Sequence, residues 1–203
     1  VVSALDRVTD GLFALERCAT VAEATAGLAA LVNRHREVAG ALGLPESIIG
    51  RIEDDAGSLA QWLTAKGPGE WTAAERDRVV SHGELWSSRI VTGAFEKGEL
   101  PAVWVDARHV VATDSNFGQA APNGPEIATR ASRIIAPLLE RGAIPITQGF
   151  IGASPDSQTT TLGRGGSDYT ASLLGAAMNA DRVEIWTDVD GILTADPRVG
   201  PEA

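Results

Sequence analysis

Cysteine is almost absent. Cys18 stands alone, so no disulfide can form within the chain and no thiolate cage can hold a metal. The three histidines, His35, His82 and His109, show no HExxH-type ligand spacing, so no metal site is expected. No uninterrupted apolar run approaches the ~18 residues of a membrane span, and no signal peptide is visible. Basic residues are in short supply, with 17 Lys and Arg against 27 Asp and Glu and a formal net charge of −10. That shortage excludes a general nucleic-acid binder, which needs a cationic surplus to neutralise phosphates. A small anionic ligand needs only a few well-placed donors and stays open. There is no internal repeat and no low-complexity tract.

What is present suits one folded domain. The 203 residues are 44% hydrophobic and 22% charged, ordinary values for a soluble chain able to bury a core. The chain opens "VVSAL" without Met, on residues that read as the tail of a strand, and closes on the loop-like "DPRVGPEA". A piece of a longer protein is the expectation.

Apolar residues at helical spacing run through residues 9–42, including Leu12, Leu15, Leu28, Leu31 and Val38. Pro45 and Glu46 are placed like a second helix start, and "KGPGEW" is a turn cluster. Thr72 with Glu75 three residues on makes a capping-box arrangement. The helix that follows sets Val79, Gly83, Trp86 and Ile90 on one face. From about residue 102 the rhythm changes. "AVWVDA" predicts a strand, and "EIATRASRIIAPLLERG" a helix with Ile127, Ile134, Leu138 and Leu139 inward, closed by Gly142. "AIPITQGF" predicts a second strand, "SDYTASLLGAAMNA" a helix and "RVEIWTDV" a third strand. Such alternation predicts an α/β fold with parallel strands and right-handed crossovers. Ligands are then expected at the carboxyl ends of the strands.

The loop after the second strand is the most informative. Five glycines fall between Gly149 and Gly166, a density tolerated where positive φ or close backbone approach is needed. "TTTLGRGGSD" at 159–168 is not a Walker A loop, because no GK[ST] follows. It fails GxGxxG as well, because Asp168 stands at the last glycine position. No kinase HRD or DFG is present, "NFG" at 116–118 being only a near miss. Phosphate here would rest on backbone N–H groups of Gly165 and Gly166 and the helix turn after Ser167. Arg164 offers a planar fork for a carboxylate. Asp168 at a helix start reads either as a cap and dipole partner or as an organiser of charge beside a phosphoryl group. Glu84 reads either as a solvated helical glutamate or as a ligand group.

Together these segments resemble the catalytic domain of aspartokinases, in the amino acid kinase superfamily. The resemblance rests on "TTTLGRGGSDYTA" (159–171), "WTDVDGILTADPR" (186–198), "VSHGEL" (80–85), "QGFIG" (148–152) and "VVSAL" with Val8-Thr9, in the family's order. It implies a three-layer α/β/α sandwich with a mainly parallel central sheet. The implied activity is transfer of the ATP γ-phosphoryl to the β-carboxylate of L-aspartate, giving 4-phospho-L-aspartate on the route to lysine, methionine and threonine. ATP and Mg²⁺ are the implied donor and cofactor, with a homodimer in the cytoplasm as the expected setting. Ser3, Thr9, Glu84, Arg164, Gly165, Gly166 and Ser167 match substrate-side positions. Arg164 would clamp the α-carboxylate and Glu84 face the α-ammonium. Asp168 matches the residue that organises the catalytic lysine and reacting phosphate. Thr187, Asp188, Leu193, Asp196 and Arg198 match the nucleotide side. Residues of about 9–95 are expected to form a mainly helical substrate-side region, and about 100–203 the α/β region carrying the nucleotide side.

The sequence also departs from the family pattern. The "KFGGTS"-type lysine loop and the C-terminal ACT domains have no counterpart in these residues, and the 203 residues alone are expected to be inactive. Leu193 stands where many members carry an aromatic beside adenine. The alternatives are a catalytically silent fragment or pseudokinase that binds nucleotide or amino acid, and a superfamily relative acting on another acid.

Overall fold

The computed structural model describes residues 1–187. Helices dominate its first half. α1 (Val8–Ala14) runs into a single 3₁₀ turn at Leu15–Arg17. The chain then breaks before α2 (Val21–Ala41), where the helical spacing alone predicts continuity. Thr20 causes the break. Its hydroxyl accepts the Glu23 N–H at 3.2 Å while the Glu23 carboxylate accepts the Thr20 N–H at 3.3 Å, a reciprocal cap that starts a new helix. α3 (Glu46–Lys66) follows Pro45 and ends at Gly67 with φ +72°. Its buried residues Ile49, Ile52, Ala56, Leu59 and Leu63 recur every three to four positions. They face Leu28, Val32 and Ala39 of α2 in one apolar cluster.

The Thr72–Glu75 capping box forms as the residues predict and opens α4 (Ala73–Val80). The predicted single helix is divided at Ser81, and α5 (His82–Lys97) continues from there. α5 is the pivot of the molecule. Trp86 and Ile90 pack into the helical cluster, while Leu85 packs into a second cluster with Val105, Val110, Val111, Ile127 and Ile151. A helix apolar on several faces must be covered on several sides. Its packing is close: a Cβ on Gly83 would approach Ala4 Cβ to 2.9 Å.

β1 (Ala102–Val105) and β2 (Ile144–Thr147) pair in parallel, Ala102 opposite Ile144 and Val105 opposite Thr147. Val2 pairs in parallel beyond β2, donating to Thr147 O and accepting from Gly149 N, both at 2.8 Å. The N-terminal segment is thereby fixed beside the end of β2. Buried Gln148 locks the same corner. Its Nε2 donates to Ser88 Oγ at 2.7 Å and its Oε1 accepts the Ala107 N–H at 2.7 Å. Between β1 and β2 lie α6 (Gly124–Ile134) and α7 (Ala136–Glu140), separated at Ile135 ahead of Pro137. Leu139, expected inward, is 47% exposed because the short second helix turns it away from the core.

Two further differences concern the last third of the described chain. "IGASPDSQTTT" is not an open loop. β3 (Ile151–Ala153) and β4 (Thr159–Thr161) form an antiparallel hairpin, Ile151 opposite Thr161, for which the three β-branched threonines are well suited. α8 (Gly166–Ala177) follows as predicted. The third predicted strand does not form over residues 182–187, where Trp186 is 90% exposed. None of the strands among the described residues pairs with that stretch.

Candidate active site

Phe150 just after β2, the start of the chain, α4, the 116–119 stretch and the front ends of α1, α5 and α8 line an open cavity of about 900 Å³. Every substrate-side residue expected from the sequence lines it: Ser3, Thr9, Glu84, Arg164, Gly165, Gly166 and Ser167, with Asp168 beside them. Ser3 is held by its backbone, whose carbonyl accepts the Ser87 hydroxyl at 2.6 Å. Thr9 lies in the first turn of α1, after Arg7 turns the chain with φ +60°.

Glu84 is in the first turn of α5 and only 4% exposed. Burial pushes its carboxyl up to about 8, against a smaller opposing pull from the backbone N–H groups of Glu84 and Ala4. Its Oε2 is buried and has no hydrogen-bond partner among the described residues. A buried acceptor of this kind is unfavourable unless a donor arrives. The solvated-glutamate alternative is therefore excluded by its burial.

The glycine loop is shaped by backbone proximity. Gly163 and Gly165 adopt φ of +79° and +73°, which only glycine takes without strain. A Cβ on Gly149 would lie 2.6 Å from Ser167 Cα, and one on Gly166 would lie 2.9 Å from Phe150 Cα. Each contact is with backbone, so neither neighbour can swing aside. One expectation is corrected here. The Gly166 N–H is already donated to Gly163 O at 3.0 Å and does not point to a ligand. Asp168 does not cap α8 either. The N-cap is Gly165, no side chain caps it, and Asp168 stands in the first turn where the helix dipole favours an anion. Arg164 and Asp168 are both exposed, and neither forms an ion pair among the described residues.

Several lining residues were not singled out from the sequence. Phe150 holds φ +66° in the strand exit, donating its N–H to Thr170 Oγ1 at 3.1 Å and accepting from Leu162 N at 2.9 Å. A non-glycine residue in that region is strained and tends to occur at working sites. The "QGF" motif was its only sequence signal. Asp77, Thr161 and the 116–119 stretch also line the cavity. Arg76 does so while its guanidinium is bound by Glu16 through two 2.7 Å hydrogen bonds. On the nucleotide side, Thr187 is described and lies outside the cavity lining. Asp188, Leu193, Asp196 and Arg198 lie outside the described residues. Among the described residues, no group of three or more His, Cys, Asp or Glu could hold a metal ion.

A family model, that of the amino acid kinase family, matches residues 1–203. The chain belongs to the amino acid kinase family. Lysine-sensitive aspartokinase 3 of Escherichia coli strain K12 is 50% identical over 123 residues, 61% of this chain and 27% of that protein. The crystal structure of E. coli aspartokinase III in complex with lysine and aspartate, in the T-state, superposes with a TM-score of 0.88. It is 39% identical and covers 98% of this chain and 44% of the other. The R-state structure of that enzyme with aspartate and ADP gives a TM-score of 0.82 at 37% identity, with the same coverage. This amino acid kinase chain therefore spans less than half the length of these relatives. The α/β fold read from the sequence is the fold these neighbours share.

Proposed function

We propose that the chain forms the amino-acid side of an aspartate kinase, which transfers the ATP γ-phosphoryl to the β-carboxylate of L-aspartate. The observation that carries this reading is the meeting in one cavity of Glu84, buried with an oxygen that has no partner among the described residues, and Arg164, an exposed guanidinium that forms no ion pair among the described residues. An α-amino acid presents the complementary pair, an ammonium for Glu84 and a carboxylate for the Arg164 fork. The ammonium drives Glu84 to its ionised form and the displaced proton leaves to solvent. The side-chain carboxylate is then directed toward the glycine loop and the positive end of α8.

That carboxylate is already ionised at neutral pH, so the reaction needs no general base. One of its oxygens bonds to the γ-phosphorus as the bond from phosphorus to the β–γ bridging oxygen breaks, and ADP takes the electron pair. Bringing two anions together is the difficulty, so catalysis rests on positioning and on fixed positive charge. Asp168 organises the charge around the transferred group. Mg²⁺ fits as an ion carried by the nucleotide phosphates rather than by a protein cage, and supplies charge neutralisation there. The same reading puts the amino acid between the helical 9–95 region and the glycine loop, and the nucleotide on the 100–203 side, in a homodimeric, cytoplasmic enzyme.

The gene product carrying this chain is expected to form aspartyl phosphate from L-aspartate, Mg²⁺ and ATP, trapped by hydroxylamine as the hydroxamate. No aspartate-dependent hydroxamate at saturating substrates contradicts the proposal.

A further inference from the structure

Asp77 is the second buried carboxylate on the cavity wall, 2% exposed in α4. Unlike Glu84, it is fully engaged. Its Oδ2 accepts the backbone N–H groups of Gly118 at 2.8 Å and Thr161 at 2.9 Å, and its Oδ1 accepts the Thr161 hydroxyl at 2.7 Å. These donors belong to two adjacent segments that both line the cavity. One is the 114–121 loop, braced internally by Asp114 Oδ1, which accepts from Asn116 N and Ala121 N. The other is the last residue of β4, two positions before the glycine loop begins. The segments also touch directly. Ala120 N donates to Thr161 O at 2.9 Å, and a Cβ on Gly163 would meet Gly118 O at 3.4 Å.

We infer that Asp77 is a positioning residue, a buried clip that fixes the 114–121 loop and the end of β4 to α4 and so sets where Arg164 stands over the cavity. The inference deepens the aspartate kinase reading and rests on it for its kinetic consequence. Three donors already occupy the carboxylate, which leaves it little capacity to bind ligand. Its location explains why one carboxylate can govern the loop. Ser81 N donates to Asp77 O at 3.1 Å where α4 gives way to α5, the helix that carries Glu84. The two halves of the amino-acid site are thus referenced to one helical frame.

Asparagine separates geometry from charge. Asp77→Asn can keep an oxygen facing the two N–H groups and turn its amide N–H to Thr161 Oγ1, because the hydroxyl can also accept. Asp77→Ala removes all three bonds. In the hydroxamate assay, Asp77→Ala is expected to lower kcat/KM for aspartate by roughly 10- to 100-fold while the Mg·ATP KM moves less than about twofold. Asp77→Asn is expected to stay within about threefold of the parent. Amide hydrogen exchange at Gly118 and Thr161 is expected to accelerate at least about tenfold in Asp77→Ala alone, with α2 and α3 amides unchanged. The inference is overturned if Asp77→Asn is as impaired as Asp77→Ala, if Asp77→Ala keeps parental kinetics, or if its exchange is unchanged or faster throughout the chain. A parent protein that makes no aspartyl phosphate refutes the kinase reading alone, and the exchange comparison still decides the clip.

Discussion

The helical wall of the cavity and its loop wall use opposite means. On the helical side, α5 is buried around most of its surface and holds Glu84 away from water, with one oxygen unpartnered among the described residues. On the loop side, the backbone is fixed by glycine contacts at 149 and 166, and Arg164 and Asp168 are exposed. A buried carboxyl is altered by its surroundings before any ligand arrives, whereas exposed groups on a fixed backbone act through placement. In the proposed function one wall therefore responds to pH and to the ligand's ammonium. The other responds to backbone geometry.

Substitutions should separate the walls, with the largest effect on the loop side. Gly166→Ala places a methyl group 2.9 Å from Phe150 Cα, and kcat/KM for aspartate is expected to fall about 100-fold or more in the coupled hydroxamate assay. Arg164→Ala comes next. It should raise the aspartate KM by roughly 10- to 100-fold and leave the ATP KM within a factor of about two. Equal effects on both constants reject the carboxylate clamp.

Glu84→Gln probes the helical wall through stability. The folded carboxyl is raised to about 8 from 4.5, so between those values the folded chain holds a proton that the unfolded chain releases. The contribution of Glu84 to stability is then fully present below about pH 4.5 and is lost as pH rises through 8. Melting curves should show the variant gaining on the parent from pH 5 to pH 8, and a pH-independent difference counts against the burial effect. The smallest effect belongs to neither wall. Thr72→Ala removes a capping hydroxyl and should cost about 1 kcal/mol of stability by denaturant titration, with the aspartate KM unchanged.

The same contrast decides what could be read in the sequence. Local signals were legible: the Thr72–Glu75 box, the Gly142 stop at φ +74° and the glycine-dense loop all stand where their residues imply. The eight amino-acid-side residues, five of them contiguous in one motif, line one cavity. Features set by distant partners were not legible. Asp77 looks like a residue on a solvated helix face until Thr161, 84 residues later, closes on it. The division at Ser81 and the outward turn of Leu139 likewise depend on tertiary packing, which helical periodicity does not carry. The hairpin at 151–161 was hidden by turn residues that suggested an open loop, although its threonines favour strand.

The central claim is that an amino acid's ammonium meets a protonated Glu84. Calorimetric titration with L-aspartate at pH 7, in buffers of different ionisation enthalpy, counts the protons exchanged on binding. With the Glu84 carboxyl at about 8, binding should release close to one proton, roughly 0.9 by the titration relation, and the release should vanish in Glu84→Gln. Binding heats that do not depend on the buffer would contradict the account.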